Sequence, residues 1–148
     1  MKKPILVSAC LLGQACRYDG KSKPNEAVLA LMEKFELIPV CPETLGGLSI
    51  PRLPSEIRGG AVVSENGADV TEFFVTGAME ALKIAKKYGC ETAVLKARSP
   101  SCGSGEIYDG SFSGKLTEGD GITASLLRKN GITVYTEDEI TIFLSSKN

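Results

Sequence analysis

The sequence of 148 residues contains no histidine. Without histidine the chain cannot build a Ser/His/Asp or Cys/His nucleophile system, a mixed Cys/His zinc site or a facial-triad iron site. It also has no histidine to serve as a general base. Any chemistry must therefore rest on cysteine, carboxylate, serine, lysine, arginine or a cofactor.

The sequence also lacks an excess of charge of either sign and a long apolar run. Its 17 Lys and Arg against 18 Asp and Glu give a formal net charge of -1, so no overall basic field would hold a nucleic-acid backbone. No apolar run approaches the roughly 20 residues of a membrane-spanning helix. The apolar stretch near Met1 is too short for a signal peptide. We therefore expect a cytoplasmic protein with no membrane partner.

What the sequence does contain is an odd number of cysteines, five, in a chain that is 43% hydrophobic and 24% charged. This length and apolar content are typical of one folded domain, so we expect a single domain over residues 1–148. In a reducing compartment, five cysteines indicate free thiols, metal ligands or catalytic groups rather than a disulfide framework.

Short apolar strands alternate with amphipathic helices along the chain. Strands are predicted at residues 4–8, 37–40, 92–96 and 132–135, and helices at 24–34, 71–88, 123–129 and after Thr136. Thr71 is expected to cap the long helix, and Gly89 to end it. Pro39 indicates a strand end or a sheet edge, and residues 61–64 with the turn at 65–67 predict a small hairpin. This order predicts an α/β three-layer sandwich, Rossmann-like or flavodoxin-like, with a four-stranded mostly parallel sheet.

Such a sheet would bring three cysteines together. Cys10, Cys41 and Cys102 each follow one of the first three strands, and ligands of α/β sheets bind at the carboxyl ends of the strands. Cys16 lies in the first loop near the same edge, whereas Cys90 precedes the third strand and is expected to pack at the opposite end. Convergent thiols without histidine indicate a zinc site, a redox thiol set or an iron-sulfur cluster. The close C-x2-C pairs of structural zinc sites are missing, and any one isolated cysteine is otherwise a small buried hydrophobe.

Charged residues accompany these thiols. Glu43 follows Cys41 by two positions and suits a general acid and base in a chain without histidine. The alternative is an exposed loop carboxylate paired with Arg52 or Arg58. Arg52 is also a candidate for orienting a substrate carbonyl or balancing a negative cluster.

The loop at residues 99–105 surrounds Cys102 with small residues and three serine hydroxyls. Its free backbone amides favour a nest for an anion or for the sulfides of a cluster. By composition alone, an ordinary flexible turn accounts for this segment equally well.

Three groups of residues follow one another along the chain in a recognisable order. They are VSACLLG (7–13) with CRYDG (16–20), then CPE (41–43) with GGL (46–48) and PR (51–52), then SPSCG (99–103). This series, which extends over essentially the whole chain, resembles the thiouracil desulfidase family, formerly a domain of unknown function. The resemblance implies a [4Fe-4S] cluster held by Cys10, Cys41 and Cys102, with Glu43 and Ser99 serving catalysis.

The reaction that the resemblance implies is a non-redox desulfuration of a thiolated pyrimidine, from thiouracil to uracil and hydrosulfide. The iron left open by three cysteines would bind the exocyclic sulfur as a Lewis acid, while Glu43 moves protons for an attacking water. Ser99 would hold the base or the water, and Ser101 and Arg52 are further candidates for substrate binding. Cys16 stays open between an alternative ligand, a supporting group and a packing residue.

The partner is expected to be a free thiolated pyrimidine, because a net charge of -1 does not favour tRNA. Thiolated uridine in RNA stays an alternative substrate. A non-catalytic module that binds or senses a metal or cluster is the alternative function, since the same thiols would serve it. The oligomeric state stays open.

Overall fold

The computed structural model describes residues 2–146 as an alternation of strands and helices. The strands are β1 (Lys3–Ser8), β2 (Phe35–Val40), β3 (Ser55–Arg58), β4 (Ala61–Ser64), β5 (Thr92–Leu95), β6 (Glu106–Tyr108), β7 (Leu116–Glu118) and β8 (Thr133–Thr136). The α-helices are α1 (Glu26–Ala30), α2 (Pro42–Leu45), α3 (Thr71–Tyr88), α4 (Ile122–Lys129) and α5 (Ile140–Ser145). Short 3-10 turns cover Ala9–Leu12, Leu31–Glu33 and Glu137–Glu139. Across this described part of the chain, no helix is both long and apolar enough to cross a membrane.

The central sheet has the order β2-β1-β5-β8, and all its neighbouring strands are parallel. All four residues of β5 are buried, because helices cover both faces of a parallel sheet. Pro39 lies in β2 at the sheet edge, as its missing N-H requires. The predicted α/β class with a four-stranded sheet is confirmed.

Helices flank the sheet on both faces, and alternate residues of β1 divide between the two cores. Val7 packs in a cluster with Val28 of α1 and with residues of α5. Leu6, the preceding residue, packs in the other cluster with Ala85 of α3 and Leu127 of α4. This division follows from the two-residue period of a strand, and it produces the predicted three layers.

The longest helix, α3, has the predicted bounds but not the predicted cap. It ends at Gly89, whose φ of 72° lies in the left-handed region that favours glycine. Its N-cap residue is Val70 rather than Thr71. The Thr71 hydroxyl instead accepts a hydrogen bond from the Val62 amide at 2.9 Å, so this side chain ties the helix to β4.

The small hairpin exists, but the strand that pairs with residues 61–64 comes before them in the chain, not after them. β4 lies at the expected residues 61–64 and pairs with β3 through a turn at Gly59 and Gly60, both with positive φ. The predicted turn at 65–67 leads only to a single bridge between Val63 and Asp69. A second hairpin, β6 with β7, was not predicted, because its short strands lie in a segment rich in glycine and serine.

The first helix is shorter than predicted. α1 ends at Ala30 and continues as a 3-10 turn over Leu31–Glu33, in which Met32 is 49% exposed. The strand after it correspondingly starts two residues earlier than expected, at Phe35.

Candidate active site

A cavity of about 420 Å³ opens at the carboxyl ends of the parallel strands. The chain passes from β1 to β2 on one side and reaches β5 on the other side of β1. The direction of winding therefore reverses between β1 and β5, and ligands of α/β sheets bind at such a reversal. The residues that follow these strands line the cavity.

Four of the five cysteines line this cavity. They are Cys10, Cys16, Cys41 and Cys102, and the structure thus brings together the three thiols whose convergence was expected and the ambiguous fourth. Cys90 instead packs in the core cluster beneath α3 and α4, which is the role predicted for it. All five are free thiols.

Burial keeps two of the cavity thiols neutral. Burial, assisted by the neighbouring Cys41, raises the pKa of Cys10 to about 11. Burial likewise raises the pKa of Cys102 to about 12, although hydrogen bonds from Ser8 and Ser101 act in the opposite direction. These thiols would ionise only beside a strong positive charge, as they do when a metal binds.

Cys16 and Cys41 form a hydrogen-bonded pair. The Cys41 thiol donates to the Cys16 carbonyl at 3.6 Å, and the interaction between the two thiol groups lowers the pKa of Cys41 and raises that of Cys16. A hydrogen bond from Thr44 lowers the pKa of Cys41 further, against the effect of burial. Cys41 is therefore the thiol of the cavity that ionises most readily.

The spacing of the thiols bears on what they could hold. Among residues 2–146, no three Cys, Asp or Glu side chains gather closely enough to bind a single metal ion. A single zinc ion would hold each thiolate at about 2.3 Å, whereas an iron-sulfur cluster distributes its thiolates over separate iron atoms. The four cysteines of the cavity offer soft thiol donors, and this donor set fits an iron-sulfur cluster.

Glu43 projects into the cavity from the first turn of α2 and is held at both oxygens. Its Oε1 accepts a hydrogen bond from Arg52 Nε at 3.0 Å, and its Oε2 accepts one from Ser101 Oγ at 2.8 Å. The side chains of Arg52 and Glu43 are only 8% and 16% exposed. Of the two arginines considered as partners, Arg52 forms the pair, and Arg58 donates to the Gly110 carbonyl instead.

Arg52 also braces the surrounding loops. Its two terminal nitrogens donate to the carbonyls of Cys16 and Ser49, each at 3.0 Å. Its backbone amide donates to the Tyr18 carbonyl at 2.8 Å. The planar guanidinium therefore has each of its three nitrogens committed, which fixes the carboxylate of Glu43 in one place.

Two serine hydroxyls extend the network beside Cys102. Ser99 Oγ accepts a hydrogen bond from the Cys102 amide at 2.7 Å and lies 3.2 Å from Ser101 Oγ. Ser101 Oγ is also 3.7 Å from the Cys102 sulfur. A hydroxyl carries one proton, so when Ser101 donates to Glu43, Ser99 is the donor to Ser101.

Two glycines allow α2, which carries Glu43, to lie directly against α3. A Cβ on Gly77 would stand 1.8 Å from the Pro42 carbonyl oxygen, and one on Gly46 would stand 1.9 Å from that of Phe73. Only glycine permits such contact between the two backbones. This contact sets the position of Glu43 above the sheet.

A third glycine positions the serine loop. A Cβ on Gly121 would lie 2.5 Å from the Ser101 carbonyl oxygen. The amides of Ile122 and Thr123, in the first turn of α4, donate to the carbonyls of Pro100 and Ser101 at 2.8 and 2.9 Å. The loop is therefore an ordered part of the cavity wall, not the flexible turn that its composition equally allowed.

Sequence reasoning missed an ion pair at the cavity. Lys96 Nζ lies 3.0 Å from Glu137 Oε2, and Glu137 Oε1 accepts a hydrogen bond from the Ala97 amide at 2.7 Å. Ser8 Oγ accepts from the Lys96 amide at 2.8 Å. The available signal is that Lys96 and Glu137 each directly follow a strand of the central sheet. The aromatic residues Tyr108 and Phe112 of the cavity were missed as well.

Comparison with known proteins gives consistent results. A family model described as 2-thiouracil desulfurase matches residues 5–139, a range that contains all the cavity residues named above. The chain is 43% identical over 150 residues to the uncharacterized protein YbbK of Bacillus subtilis (strain 168), an alignment that covers 95% of this chain and 99% of that protein. It also matches the solved structure of a [4Fe-4S]-dependent thiouracil desulfidase, TudS, with a TM-score of 0.89 and 47% identity, over 97% of this chain and 99% of that one.

Proposed function

Because the chain belongs to the 2-thiouracil desulfurase family, we propose that it converts thiouracil to uracil and hydrosulfide with the aid of a [4Fe-4S] cluster. The observation that carries the proposal is the contact of Glu43 with Ser101 in a cavity lined by four thiols. The likeness to a [4Fe-4S]-dependent desulfidase at 47% identity supports it.

Cys10, Cys41 and Cys102 are the proposed cluster ligands. Cys10 interacts electrostatically with both of the others, and each thiol follows a strand of the parallel sheet. Cys16 lies outside the proposed set, because it does not follow a strand directly and its carbonyl accepts hydrogen bonds from Arg52 and from the Cys41 thiol. When bound, the cluster supplies a Lewis-acidic iron for the exocyclic sulfur of the substrate.

Glu43 is the proposed proton carrier. Water that attacks the thiocarbonyl carbon must lose two protons as the new carbonyl forms, and sulfur leaves as hydrosulfide with one of them. Arg52 holds one carboxylate oxygen, so proton movement falls to the other, Oε2, which already contacts Ser101. A positioned carboxylate of this kind contributes about 10²- to 10⁴-fold to a rate.

Ser101 and Ser99 are proposed to complete the proton path and hold the substrate. The Ser101 hydroxyl contacts both the Glu43 carboxylate and the Cys102 sulfur. Ser99 is one hydrogen bond further away and anchors the Cys102 amide. Ser101 is therefore the serine in direct contact with the proton carrier, and Ser99 acts through it.

The proposed substrate is a free thiolated pyrimidine. The cavity volume of about 420 Å³ lies in the range of small-molecule sites, and a base with one ring needs no larger space. A net charge of -1 provides no general attraction for tRNA.

The test is anaerobic reconstitution with iron and sulfide, followed by measurement of cluster content and of sulfide and uracil released from 2- and 4-thiouracil. We expect one cluster per chain and equal amounts of the two products. Replacing Cys10, Cys41 or Cys102 with serine should abolish cluster binding and product release. Cys90→Ala, which changes a thiol outside the cavity, should retain the cluster and the activity. A chain that holds a full cluster but releases no sulfide would refute the proposed activity, and it would favour a binding or sensing module.

A further inference from the structure

The loop that joins β6 to β7 contributes an aromatic wall to the cavity. Phe112 in this loop lines the cavity, as do Tyr108 at the end of β6 and Gly114. The groups proposed for chemistry, Glu43 and Ser101, are polar and small. Phe112 thus provides a flat apolar surface in the cavity that Glu43 and Ser101 also line.

A buried carboxylate holds the backbone of this loop. Glu56 of β3 is 9% exposed, and its Oε1 accepts hydrogen bonds from the amides of Gly110 and Phe112 at 3.0 and 3.1 Å. Arg58, two residues along the same strand, donates two hydrogen bonds to the Gly110 carbonyl at 2.9 and 2.6 Å. The amide and the carbonyl of Gly110 are therefore both hydrogen-bonded to side chains of β3.

The hydrogen bonds that Glu56 and Arg58 make with this loop maintain a strained backbone at Phe112. This residue has a φ of 55°, in the left-handed region that a bulky side chain rarely adopts. Gly110 also has a positive φ of 93°, and a Cβ there would lie 2.7 Å from the Ile57 carbonyl oxygen. Strain of this kind persists where the surrounding contacts enforce it, and it concentrates at ligand-binding positions.

The ring of Phe112 also contacts a cation. The guanidinium carbon of Arg58 lies 5.9 Å from the ring centroid. Phe112 lines the cavity, whereas Arg58 does not. Arg58 holds the ring through a cation–π contact and limits its movement.

We propose that Phe112 is the stacking surface for the planar ring of the substrate and that Glu56 is the positioning residue that sets it in place. Bases stack on aromatic side chains with little dependence on their exocyclic groups, so this wall would select for a flat ring. The identity of that ring as a pyrimidine rests on the function proposed above. The stacking role itself concerns binding and not the loss of sulfur.

The test compares a planar ligand with a puckered one on the cluster-loaded chain. Uracil is flat, and 5,6-dihydrouracil has the same polar groups on a non-planar ring. We expect Phe112→Leu to weaken uracil binding about 10-fold, measured by titration calorimetry, and to weaken dihydrouracil binding less than about 2-fold. Phe112→Tyr, which keeps the aromatic face, should retain the preference for uracil. Tyr88→Leu, at an exposed aromatic residue outside the cavity, is the matched control and should change neither constant.

The positioning role of Glu56 has its own readout. Glu56→Ala removes the acceptor of both amides, and we expect it to reduce the preference for uracil over dihydrouracil as Phe112→Leu does. Glu56→Gln keeps an acceptor oxygen and should restore the preference. A general loss of structure would instead weaken the binding of uracil and of dihydrouracil in both Glu56 variants. That result would overturn the positioning role.

The outcomes separate this inference from the proposed function. If Phe112→Leu weakens both ligands equally or neither, Phe112 is not a stacking surface, whether or not the chain releases sulfide. If the variant loses the preference for the planar ligand but the wild-type chain releases no sulfide from thiouracil, the stacking role stands and the proposed reaction fails. A loaded wild-type chain that binds uracil no more tightly than dihydrouracil would overturn the stacking role, whereas sulfide release from thiouracil decides the proposed reaction separately.

Discussion

Arg52 Nε donates a hydrogen bond to Glu43 Oε1 at 3.0 Å, in a pair that is largely shielded from solvent. The other two guanidinium nitrogens are committed to the carbonyls of Ser49 and Cys16. Arg52 therefore cannot follow the carboxylate if that group moves. One oxygen of Glu43 is fixed by a permanent cation, and the other stays with a hydroxyl that exchanges protons.

Removing the cation alone should be costly. Arg52→Met leaves the Glu43 carboxylate with no positive partner, and we expect the free energy of unfolding to fall by about 3–5 kcal/mol. The double variant with Glu43→Gln should recover a large part of this loss, because no uncompensated charge is left. Urea denaturation of the two single variants and the double variant measures the coupling, and strictly additive losses would contradict it. Lys83→Met breaks only the exposed pair with Glu80 and should cost less than about 0.5 kcal/mol.

Neutralising the proton carrier should stop catalysis without removing the cofactor. Glu43→Gln keeps the size of the side chain, and we expect sulfide release to fall about 10²- to 10⁴-fold while cluster absorbance is retained. Ser101→Ala should lower the rate more than Ser99→Ala, since only Ser101 contacts the carboxylate directly. Glu118→Gln, at an exposed position of β7, is the control. A Glu43→Gln variant with the wild-type rate would remove Glu43 from the mechanism.

The contact between α2 and α3 should be sensitive to a single methyl group. In Gly77→Ala the new Cβ would overlap the Pro42 carbonyl oxygen, so the two helices must separate. We expect a loss of about 1–3 kcal/mol in unfolding free energy together with a lower kcat, because α2 carries Glu43. Thr76→Ala changes an exposed neighbour on the same helix and should leave both measurements near their wild-type values. Full activity in Gly77→Ala would show that the position of α2 is not critical.

Several of these features were accessible from the sequence and others were not. The strands of the central sheet are short apolar runs, and Pro39 and Gly89 mark an edge and a helix end through their own backbone chemistry. The convergence of Cys10, Cys41 and Cys102 required only the rule that parallel strands end at one side of a sheet. These predictions depend on local pattern and topology, both of which a single sequence contains.

The remaining features depend on contacts between distant residues. Glu56 is a buried carboxylate in a short polar strand, and its partners Gly110 and Phe112 come more than 50 positions later. Nothing near Glu56 in the sequence distinguishes it from an exposed loop residue. The choice of Arg52 over Arg58 as the partner of Glu43 likewise depends on how the loop folds back, because the two arginines are close in sequence.

The contribution of the buried Cys90 thiol to the free energy of unfolding should decrease at alkaline pH. Burial, with a smaller effect from Glu36, raises the pKa of Cys90 from 9.0 to about 11. The thiol stays neutral in the folded chain while it ionises in the unfolded chain, so its stabilising contribution is complete below pH 9 and is lost as the pH rises through 11. Relative to Cys90→Ala, the wild-type chain should lose roughly 2 kcal/mol over this interval. Parallel stability curves from pH 8 to 11 would disprove this assignment.

One buried hydroxyl should be replaceable with a gain in stability. Thr123 Oγ1 is the only buried side-chain oxygen or nitrogen in residues 2–146 without a hydrogen-bond partner, and the residue is fully buried. Thr123→Val has nearly the same shape and removes the unsatisfied group, so we expect an increase of about 1 kcal/mol in unfolding free energy. Thermal and urea denaturation check this, with Thr76→Val at an exposed helix position as the control. A destabilised Thr123→Val would mean that the hydroxyl makes a favourable interaction.

The three proposed cluster ligands come from segments that meet only in the folded sheet, at positions 10, 41 and 102. A chain leaving the ribosome releases the first two long before the third, and β5, which precedes the third, must insert beside β1 before the thiols can face one another. No nascent fragment that ends before residue 102 therefore contains the full set of proposed ligands. Assembly of a cluster on the three proposed ligands therefore requires that β5 and the loop after it have already joined the sheet.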